Sequence, residues 1–260
     1  MSRRARRTPP GAGRGWVRRA RQVLFGLALL SVGQVLALRW VDPPLTVTQM
    51  GRALAWSAEA GAPRWPARDW EPLAALGPDL PRAVVASEDA RFFLHHGFDL
   101  RGICAAWEKN RAGGRLRGGS TITQQVARNV FLWQQRSWLR KGLEAWYTVW
   151  LELLVPKARI LEVYLNVAEW SPAAFGAEAA AQAWFGVAAA QLGPARAARM
   201  AALLPAPRTR RPDGAAATRR AAWIAANPAP FPGEPGFAAA RKAHGGPFAG
   251  WERCAAAVGR

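Results

Sequence analysis

The sequence predicts a mainly α-helical protein behind a single apolar segment near its N-terminus. Three observations support this fold class. Residues 23–38 carry no charge, apolar residues recur at helical spacing through the middle of the chain, and strand-like alternation of apolar and polar residues is absent. Half of the 260 residues are apolar, which is enough to bury a sizeable core and excludes a wholly disordered chain.

The apolar segment is interpreted as an uncleaved membrane anchor over residues 22–41. Its uncharged run of 16 residues spans only about 24 Å as a helix, whereas the core of a bilayer is about 30 Å thick. Counting from Gln22 to Val41 closes this gap, because Arg39 can extend its charge to the interface and Trp40 suits the headgroup region. A cleaved signal peptide and a buried core helix are the alternatives. No clean A-x-A cleavage site follows the run, and a core helix has no need of the arginines that precede it.

The arginines before the anchor predict its orientation. Residues 1–21 contain eight arginines and no acid, so this tail is expected in the cytoplasm and the chain beyond residue 42 on the opposite side of the membrane. The whole chain carries 36 basic and 17 acidic residues, for a net charge of +19. Such a protein is expected to bind anions: nucleic acid, an anionic membrane surface or a phosphorylated substrate.

Cysteine and histidine are too scarce for the common metal and disulfide frameworks. The two cysteines, Cys104 and Cys254, lie far apart in the sequence and make neither a disulfide framework nor a four-ligand zinc site. Three histidines leave little material for a histidine-based metal centre. No metal ligands are therefore assigned.

Capping and turn residues divide the chain after the anchor into helices. The segment 42–44 (Asp-Pro-Pro) ends the anchor, and a Gly-rich loop is expected over residues 111–119. Beyond Pro205 the proline and glycine content rises and no element is assigned. The predicted helices cover residues 82–93 after Pro81, 100–110 after Asp99, 121–133 with Ser120 or Thr121 as the cap, 138–155 after Ser137, 157–170 after Pro156, 176–184 and 195–204.

Glu88 is the first candidate for acid–base chemistry. It follows the apolar residues 83–86 of a predicted helix. A carboxylate among apolar neighbours loses hydration, which raises its pKa towards the range of a useful general base or acid. The alternative is an ordinary glutamate on a helix surface, and the spacing alone leaves both interpretations open.

Glu144 is the second candidate. It follows Arg140 by four residues and Lys141 by three, which places both cations on its face of a helix and keeps the carboxylate ionised. Two carboxylates with opposite tendencies are typical of sites in which they have different roles. The alternative is an ordinary helix ion pair, worth about 0.3–0.5 kcal/mol.

The region between and around these residues is rich in cations. Residues 101–141 contain nine basic residues and one acid, for which a solvated basic face is the usual explanation. The same region holds a Gly-rich turn, a Ser/Thr/Gln run and a helix N-terminus, which together can bind phosphate oxygens through backbone N–H groups and guanidinium groups. It is not a Walker loop, because the G-x-x-x-x-G-K-[ST] order is absent.

Five segments, in order, resemble the motifs of the peptidoglycan glycosyltransferases, glycosyltransferase family 51. The resemblance covers about residues 72–207. Five ordered motifs are far more specific than any one of them, so the functional interpretation of Glu88 and Glu144 is preferred. The segments are residues 88–92 (EDARF) with His95, Gly97 and Asp99, residues 118–125 (GGSTITQQ), residues 140–144 (RKGLE), residues 157–166 (KARILEVYLN) and residues 176–181 (GAEAAA) running on to Phe185-Gly186.

The resemblance implies a fold and an activity. The family has an α-helical, lysozyme-like two-lobed domain whose cleft opens at the membrane. Its members polymerise lipid II into the β-1,4 glycan strands of peptidoglycan and release undecaprenyl diphosphate. We therefore expect a basic cytoplasmic tail at 1–21, an anchor in the inner (cytoplasmic) membrane at 22–41, a periplasmic glycosyltransferase domain at 42–207 and a C-terminal extension of unassigned role at 208–260. No room remains for a penicillin-binding transpeptidase domain, so a monofunctional member is expected.

The resemblance also assigns roles to residues. Glu88 is expected to be the general base for the 4-hydroxyl of the acceptor, while Arg128, Arg140 and Lys141 neutralise the leaving diphosphate. Glu144 is expected to hold these cations in place or, alternatively, to bind a divalent metal on the diphosphate. The predicted catalytic residues are Glu88 and Glu144, and the predicted substrate-binding residues are Asp89, Phe92, His95, Gly119, Ser120, Thr121, Gln124, Gln125, Arg128, Arg140, Lys141, Arg159 and Asn166.

Partners and cofactors follow from the same resemblance. The lipid diphosphate already activates the donor, so no cofactor is expected to be required, and Mg²⁺ or Mn²⁺ at the diphosphate is the open alternative. The expected partners are lipid II, the growing glycan strand, membrane lipid and proteins of cell-wall synthesis or division, and not nucleic acid. The apolar stretch 103–107 is expected to dip into the bilayer, with core packing as the alternative.

Two other classes compete with this interpretation. A lysozyme-like hydrolase or lytic transglycosylase shares a helical lobe and a catalytic glutamate but has no use for the cluster of Arg140, Lys141 and Glu144. A non-enzymatic basic membrane module would depend on charge alone and not on Glu88.

Overall fold

A computed structural model describes residues 12–62, 65–111, 119–172 and 174–246. Within these residues it confirms a mainly α-helical protein, with one pair of two-residue strands in parallel register. The elements are α1 (Ala12–Ala37), α2 (Val47–Ala60), β1 (Ala67–Arg68), α3 (Asp79–Glu88), α4 (Leu100–Arg111), α5 (Ile122–Phe131), α6 (Trp138–Leu154), α7 (Lys157–Val167), β2 (Ala174–Phe175), α8 (Ala177–Phe185), α9 (Gly193–Ala201), α10 (Ala215–Ala226) and α11 (Phe237–His244).

Helix α1 is the predicted anchor helix. Its 23 residues from Gly15 to Ala37 are long and apolar enough to cross a membrane, and most of their surface is exposed. That exposure argues against the core-helix alternative, because a core helix is mostly buried. The helix already includes Ala12 and ends at Ala37, so it is shifted towards the N-terminus relative to the predicted span of 22–41, and Arg39 lies in the turn that follows.

The C-terminal half of α1 is joined to the rest of the protein by polar contacts. The indole Nε1 of Trp146 on α6 donates to Ser31 Oγ at 3.0 Å. Arg159 on α7 donates from Nε to the Leu38 carbonyl at 2.9 Å and pairs with Asp42 at 2.7 Å. Helices α6 and α7 therefore lie beside the end of the anchor.

Two predicted helices end earlier in the structure. The helix expected over 82–93 ends at Glu88, because Asp89 leaves the helical conformation (φ −159°) and turns its carboxylate to the N-terminus of α5. The helix expected over 157–170 ends at Val167, where Ala168 becomes extended and its carbonyl accepts from Gly176 N at 3.1 Å. The end of α3 is thus set by a residue distant in the chain, and the end of α7 by the turn that leads into α8.

The predicted caps of α5 and α6 are confirmed. Thr121 and Gln124 form a reciprocal capping box at the start of α5, and the Ser137 hydroxyl accepts from Arg140 N at 3.1 Å at the start of α6. Asp99 likewise accepts from Gly102 N at 2.9 Å as α4 begins. Most of the loop predicted over 111–119 lies outside the described residues, which resume at Gly119.

The core is built around α3, α5, α7, α8 and α9. Its largest fully buried side chains include Trp170, Tyr164, Phe92 and Phe175. Small residues let the helices approach closely, as in the alanines of α8 and α9. In the stretch predicted to enter the bilayer, Ile103 and Trp107 are exposed and Cys104 is buried, so membrane contact there stays a prediction.

The core continues beyond residue 207. Helix α10 packs on α9 and α3, and it buries Ala217, Ala221 and Ile224 in the same cluster as the rest of the core. Part of the region expected to be a C-terminal extension is thus a helix that belongs to the core of the domain. The sequence did not reveal it because the residues around it are rich in proline, glycine and arginine.

Candidate functional site

Glu88 is the last residue of α3 and lies half-buried at the end of the helix. Its Oε2 accepts from Gln125 Nε2 at 3.2 Å, and its Oε1 accepts from the Ser87 hydroxyl at 3.3 Å. Burial raises the pKa of the Glu88 carboxyl above its ordinary value, although the two hydrogen bonds and the charge of Arg220 oppose the rise. The structure therefore confirms the raised pKa predicted for Glu88.

Gln125 is held in a defined orientation behind Glu88. The hydroxyl of Tyr164 donates to Gln125 Oε1 at 3.2 Å, which leaves the amide nitrogen of Gln125 directed at the carboxylate. Tyr164 is buried, and that burial raises the pKa of its hydroxyl well above the ordinary value. The hydroxyl therefore stays protonated and keeps donating to Gln125.

A buried group of side chains lies between the end of α3 and the start of α5. Asp89 hydrogen-bonds His95 Nε2 at 2.9 Å and accepts from Ile122 N at 3.0 Å, while the Thr121 hydroxyl donates to the Gly97 carbonyl at 2.6 Å. Asp89, Phe92, His95, Thr121 and Gln124, all predicted to bind substrate, are buried among these contacts. This geometry shows how they join the end of α3 to the start of α5.

The close approach of the chain at Gly97 to α6 explains why this residue is a glycine. Its φ is +79°, and a Cβ placed there would lie 2.7 Å from Thr148 Cγ2 and 2.9 Å from Glu152 Cγ. Both partners belong to α6, so this glycine lets the loop after α3 lie directly on that helix.

A polar pocket of about 190 Å³ lies beside Gln125, on the side of α5 that faces α2 and α7. Arg128, predicted to bind the diphosphate, is among its walls, and Gln134 donates to Thr48 Oγ1 at 2.5 Å across one end. The pocket is lined by Thr48, Gln125, Arg128, Asn129, Gln134, Tyr164, Ala168, Glu169, Leu204, Pro207 and Arg208. Its size and hydroxyl, amide and guanidinium groups suit a sugar or a phosphate.

Glu144 lies on α6 with only 1% of its side chain exposed. Arg140 NH1 donates to its Oε2 at 2.7 Å, and Lys141 Nζ contacts its Oε1. Arg140 is itself buried and also donates from Nε to the Gln135 carbonyl at 2.9 Å, whereas the side chain of Lys141 is 44% exposed. Glu144 thus holds one buried and one accessible cation at the start of α6.

These contacts do not fit a divalent metal bound by Glu144. Both of its carboxylate oxygens are engaged by cations, and a metal would have to displace them. Among the residues that the structure describes, no group of three acidic, histidine or cysteine side chains is close enough to hold a metal ion.

Helix α5 connects the two glutamate regions. Its residues 122 and 125 contact the end of α3, and Thr123 on its opposite side bonds Glu152 of α6. Glu88 therefore contacts α5 from the end of α3, whereas Glu144 belongs to α6, which packs along α5.

The remaining predicted residues have varied positions. Gly119 is exposed and Ser120 half-buried just before α5. Arg159 is engaged with the end of the anchor and with Glu162. Asn166 is fully buried, where its amide pairs with the backbone of Glu71 at 2.8 and 2.9 Å.

Sequence reasoning missed Arg220 and most walls of the polar pocket. Arg220 on α10 donates from NH2 to the Ser87 carbonyl at 2.7 Å, next to Glu88. No local pattern could have indicated it, because Arg220 follows Ser87 by 133 residues. Tyr164 lay inside a recognised motif, and its apolar neighbours Val163 and Leu165 were the available signal.

Comparisons with known proteins agree with the resemblance. Residues 57–228 match the family described as Transglycosylase. The chain is 53% identical over 225 residues to the "Biosynthetic peptidoglycan transglycosylase" of Xanthomonas axonopodis pv. citri (strain 306), covering 83% of this chain and 89% of that protein. It is 51% identical over 215 residues to the protein of the same name from Ectopseudomonas mendocina (strain ymp), covering 81% and 88%. The protein of that name from Xylella fastidiosa (strain 9a5c) is 51% identical over 197 residues, covering 74% and 79%.

Proposed function

The chain belongs to the transglycosylase family, and from this premise we propose that it is a peptidoglycan glycosyltransferase that polymerises lipid II into β-1,4 glycan strands and releases undecaprenyl diphosphate. The observation that carries the proposal is the half-buried carboxylate of Glu88, aligned by Gln125 and given a raised pKa by burial. A general base works best when its pKa lies near the operating pH.

Glu88 acts as the base in the bond-forming step. It takes the proton from the 4-hydroxyl of the acceptor sugar, and that oxygen attacks the anomeric carbon of the donor strand. The α bond from this carbon to the diphosphate breaks, its electron pair leaves with the diphosphate, and the new bond is β. Gln125, which donates to Glu88, also lines the polar pocket. The hydroxyl and amide groups of this pocket bind the sugars.

The cations stabilise the leaving group. Negative charge grows on the diphosphate as the bond breaks, and fixed positive charges near that position lower the barrier. Glu144 pairs with both Arg140, which is buried, and Lys141, which is accessible. Arg128 lines the polar pocket. These side chains supply the charge without a metal, so no cofactor is required.

The anchor confines the enzyme to the surface where its substrates lie. The arginines of residues 1–21 keep the N-terminus in the cytoplasm, which places the catalytic domain on the periplasmic side of the inner membrane. Contacts of Arg159 with Leu38 and Asp42 hold the domain next to the end of the anchor. Substrate and enzyme then diffuse in two dimensions.

The function is tested with the full chain in phospholipid vesicles. We expect lipid II to be consumed and to yield polymers that separate by size and are digested by lysozyme. A second reaction contains finished glycan in place of lipid II. Cleavage of that glycan, with lipid II left intact, would identify the lytic class instead.

Arg220 is proposed as a positioning residue for Glu88. It binds the Ser87 carbonyl at 2.7 Å, and its charge lowers the pKa of the Glu88 carboxyl against the larger effect of burial. We expect Arg220→Gln to raise that pKa further. Because the base acts when ionised, the acid limb of the pH–rate profile should move to higher pH.

The exposed neighbour Arg219 provides the control. Arg219→Gln removes the same charge from α10 without touching Ser87, so its pH–rate profile should match the wild type. If Arg220→Gln lowered the rate equally at every pH, Arg220 would be a structural residue without influence on the base.

A further inference from the structure

Helix α4 is poorly held by apolar packing. Within the described residues, no α4 side chain belongs to the buried apolar core, and α4 has no extensive contact with another helix. Ile103 and Trp107 are exposed to 37% and 47%. Because an element with few buried apolar contacts opens easily, other interactions must fix the position of this helix.

An ion pair fixes the first turn of α4. Arg91 donates from NH2 and Nε to the Asp99 carboxylate at 2.7 and 3.0 Å, and Asp99 accepts from Gly102 N at 2.9 Å. These contacts end at Gly102, so they do not hold the later turns.

Cys104, in the next turn, gives α4 a covalent attachment. It is only 5% exposed and is disulfide-bonded. The chain has one other cysteine, Cys254, about 150 residues later and outside the described residues. His244, the last residue of α11, is buried near the start of α4, where burial and the charge of Arg101 lower its pKa. The roughly ten residues that follow His244 are enough to bring Cys254 to Cys104.

We propose that Cys104 and Cys254 form a disulfide within the chain, and that this bond holds α4 in place beside a substrate-binding segment. The proposal rests on the proposed function for its compartment, because disulfides persist on the oxidising periplasmic side of the membrane and not in the cytoplasm. Each thiol loses a proton and the pair gives up two electrons. Both go to a disulfide-bonded thiol oxidoreductase, which is reduced to its dithiol as the new S–S bond forms.

The position of α4 affects substrate because Gly119 lies against this helix. A Cβ added to Gly119 would be 3.7 Å from Ile103 Cγ1, and Ile103 is the neighbour of Cys104. Gly119 and Ser120 are predicted to bind substrate, and they directly precede the cap of α5 at Thr121. Loosening α4 therefore removes support from this segment, while the catalytic glutamates on α3 and α6 stay in place.

Peptide mapping of the full chain, purified without reductant, tests the bond itself. Trypsin should release one linked species made of residues 102–109 and 254–260, which dithiothreitol separates into two peptides. Two free thiols, or a bond that joins two chains, would overturn the proposal. This readout contains no lipid II, so it decides the bond even if the protein polymerises nothing and the proposed function fails.

Cys254→Ser tests what the bond does, because it breaks the disulfide and leaves the buried Cys104 in place. We expect amide hydrogen exchange in residues 102–109 to accelerate by about tenfold or more, with exchange in α7 unchanged. KM for lipid II should rise several-fold, with kcat retained. Wild-type protein treated with dithiothreitol should behave like the variant, and the variant should not respond to dithiothreitol. Ala105→Ser, at an exposed position of the same helix, is the matched control and should resemble the untreated wild type.

Cys104→Ser and the double variant complete the comparison. Both should change exchange and KM as Cys254→Ser does, since all three lack the same bond. Normal exchange and normal KM in Cys254→Ser would overturn the proposed hold on α4. An effect of Cys104→Ser that Cys254→Ser does not share would also overturn it, because the buried side chain would then act through packing alone.

Discussion

Glu88→Gln is expected to abolish glycan polymerisation while the protein remains folded. A glutamine has the same shape but cannot accept a proton, and the loss of a general base lowers turnover by about 10²- to 10⁴-fold. The half-buried carboxylate gives up solvation in the native state, as its raised pKa shows, so a neutral side chain there should not destabilise the fold. Lipid II consumption measures turnover, and thermal unfolding measures stability.

Glu59→Gln is the control for this variant, because Glu59 is exposed on α2 away from the polar pocket. It removes one acid from the surface and should leave turnover unchanged. The pH dependence adds a second check: wild-type activity should fall as the pH drops through the raised pKa of Glu88, since the protonated acid is no base. Polymerisation retained by Glu88→Gln would remove Glu88 from the mechanism.

Glu144→Gln is expected to lower turnover by about 10²- to 10³-fold, the magnitude typical of losing a fixed group that stabilises transition-state charge. The variant leaves Arg140 and Lys141 without their common carboxylate, so neither cation is held where the diphosphate departs. Because Arg140 is buried, some stability is also lost. Turnover is therefore measured well below the unfolding temperature.

Lys141→Gln separates the catalytic effect from the structural one. Lys141 is 44% exposed, and its removal strands no buried charge, so turnover should fall with little change in thermal unfolding. The control is Arg136→Gln, an exposed cation just before α6, which should be nearly silent. Normal turnover of Glu144→Gln, with only a lower unfolding temperature, would assign Glu144 a purely structural role.

The sequence was informative about Glu88 and Glu144 because their surroundings are partly local. The apolar residues 83–86 precede Glu88 on its own helix, and the raised pKa follows from that burial. Arg140 and Lys141 lie one turn from Glu144, so helical spacing alone brings the three charges together. Helix caps at Thr121 and Ser137 were predictable for the same reason.

The same reasoning was less informative about residues whose partners are distant. Asp89, His95 and Asn166 were grouped with substrate-binding residues on motif resemblance, and the structure places them in buried contacts with Ile122 and Glu71. Proximity in a motif does not distinguish a side chain that touches substrate from one that positions it. Only these tertiary contacts separate the two.

The helical class, the anchor, the caps and the ion pairs of α6 follow from interactions within a few residues, whose geometry a helix fixes in advance. The end of α3, the approach of Arg220 to Ser87 and the polar pocket depend on contacts across the chain. Such contacts form only when apolar burial brings whole helices together. Their existence is therefore a property of the packed core and is not encoded in any one segment.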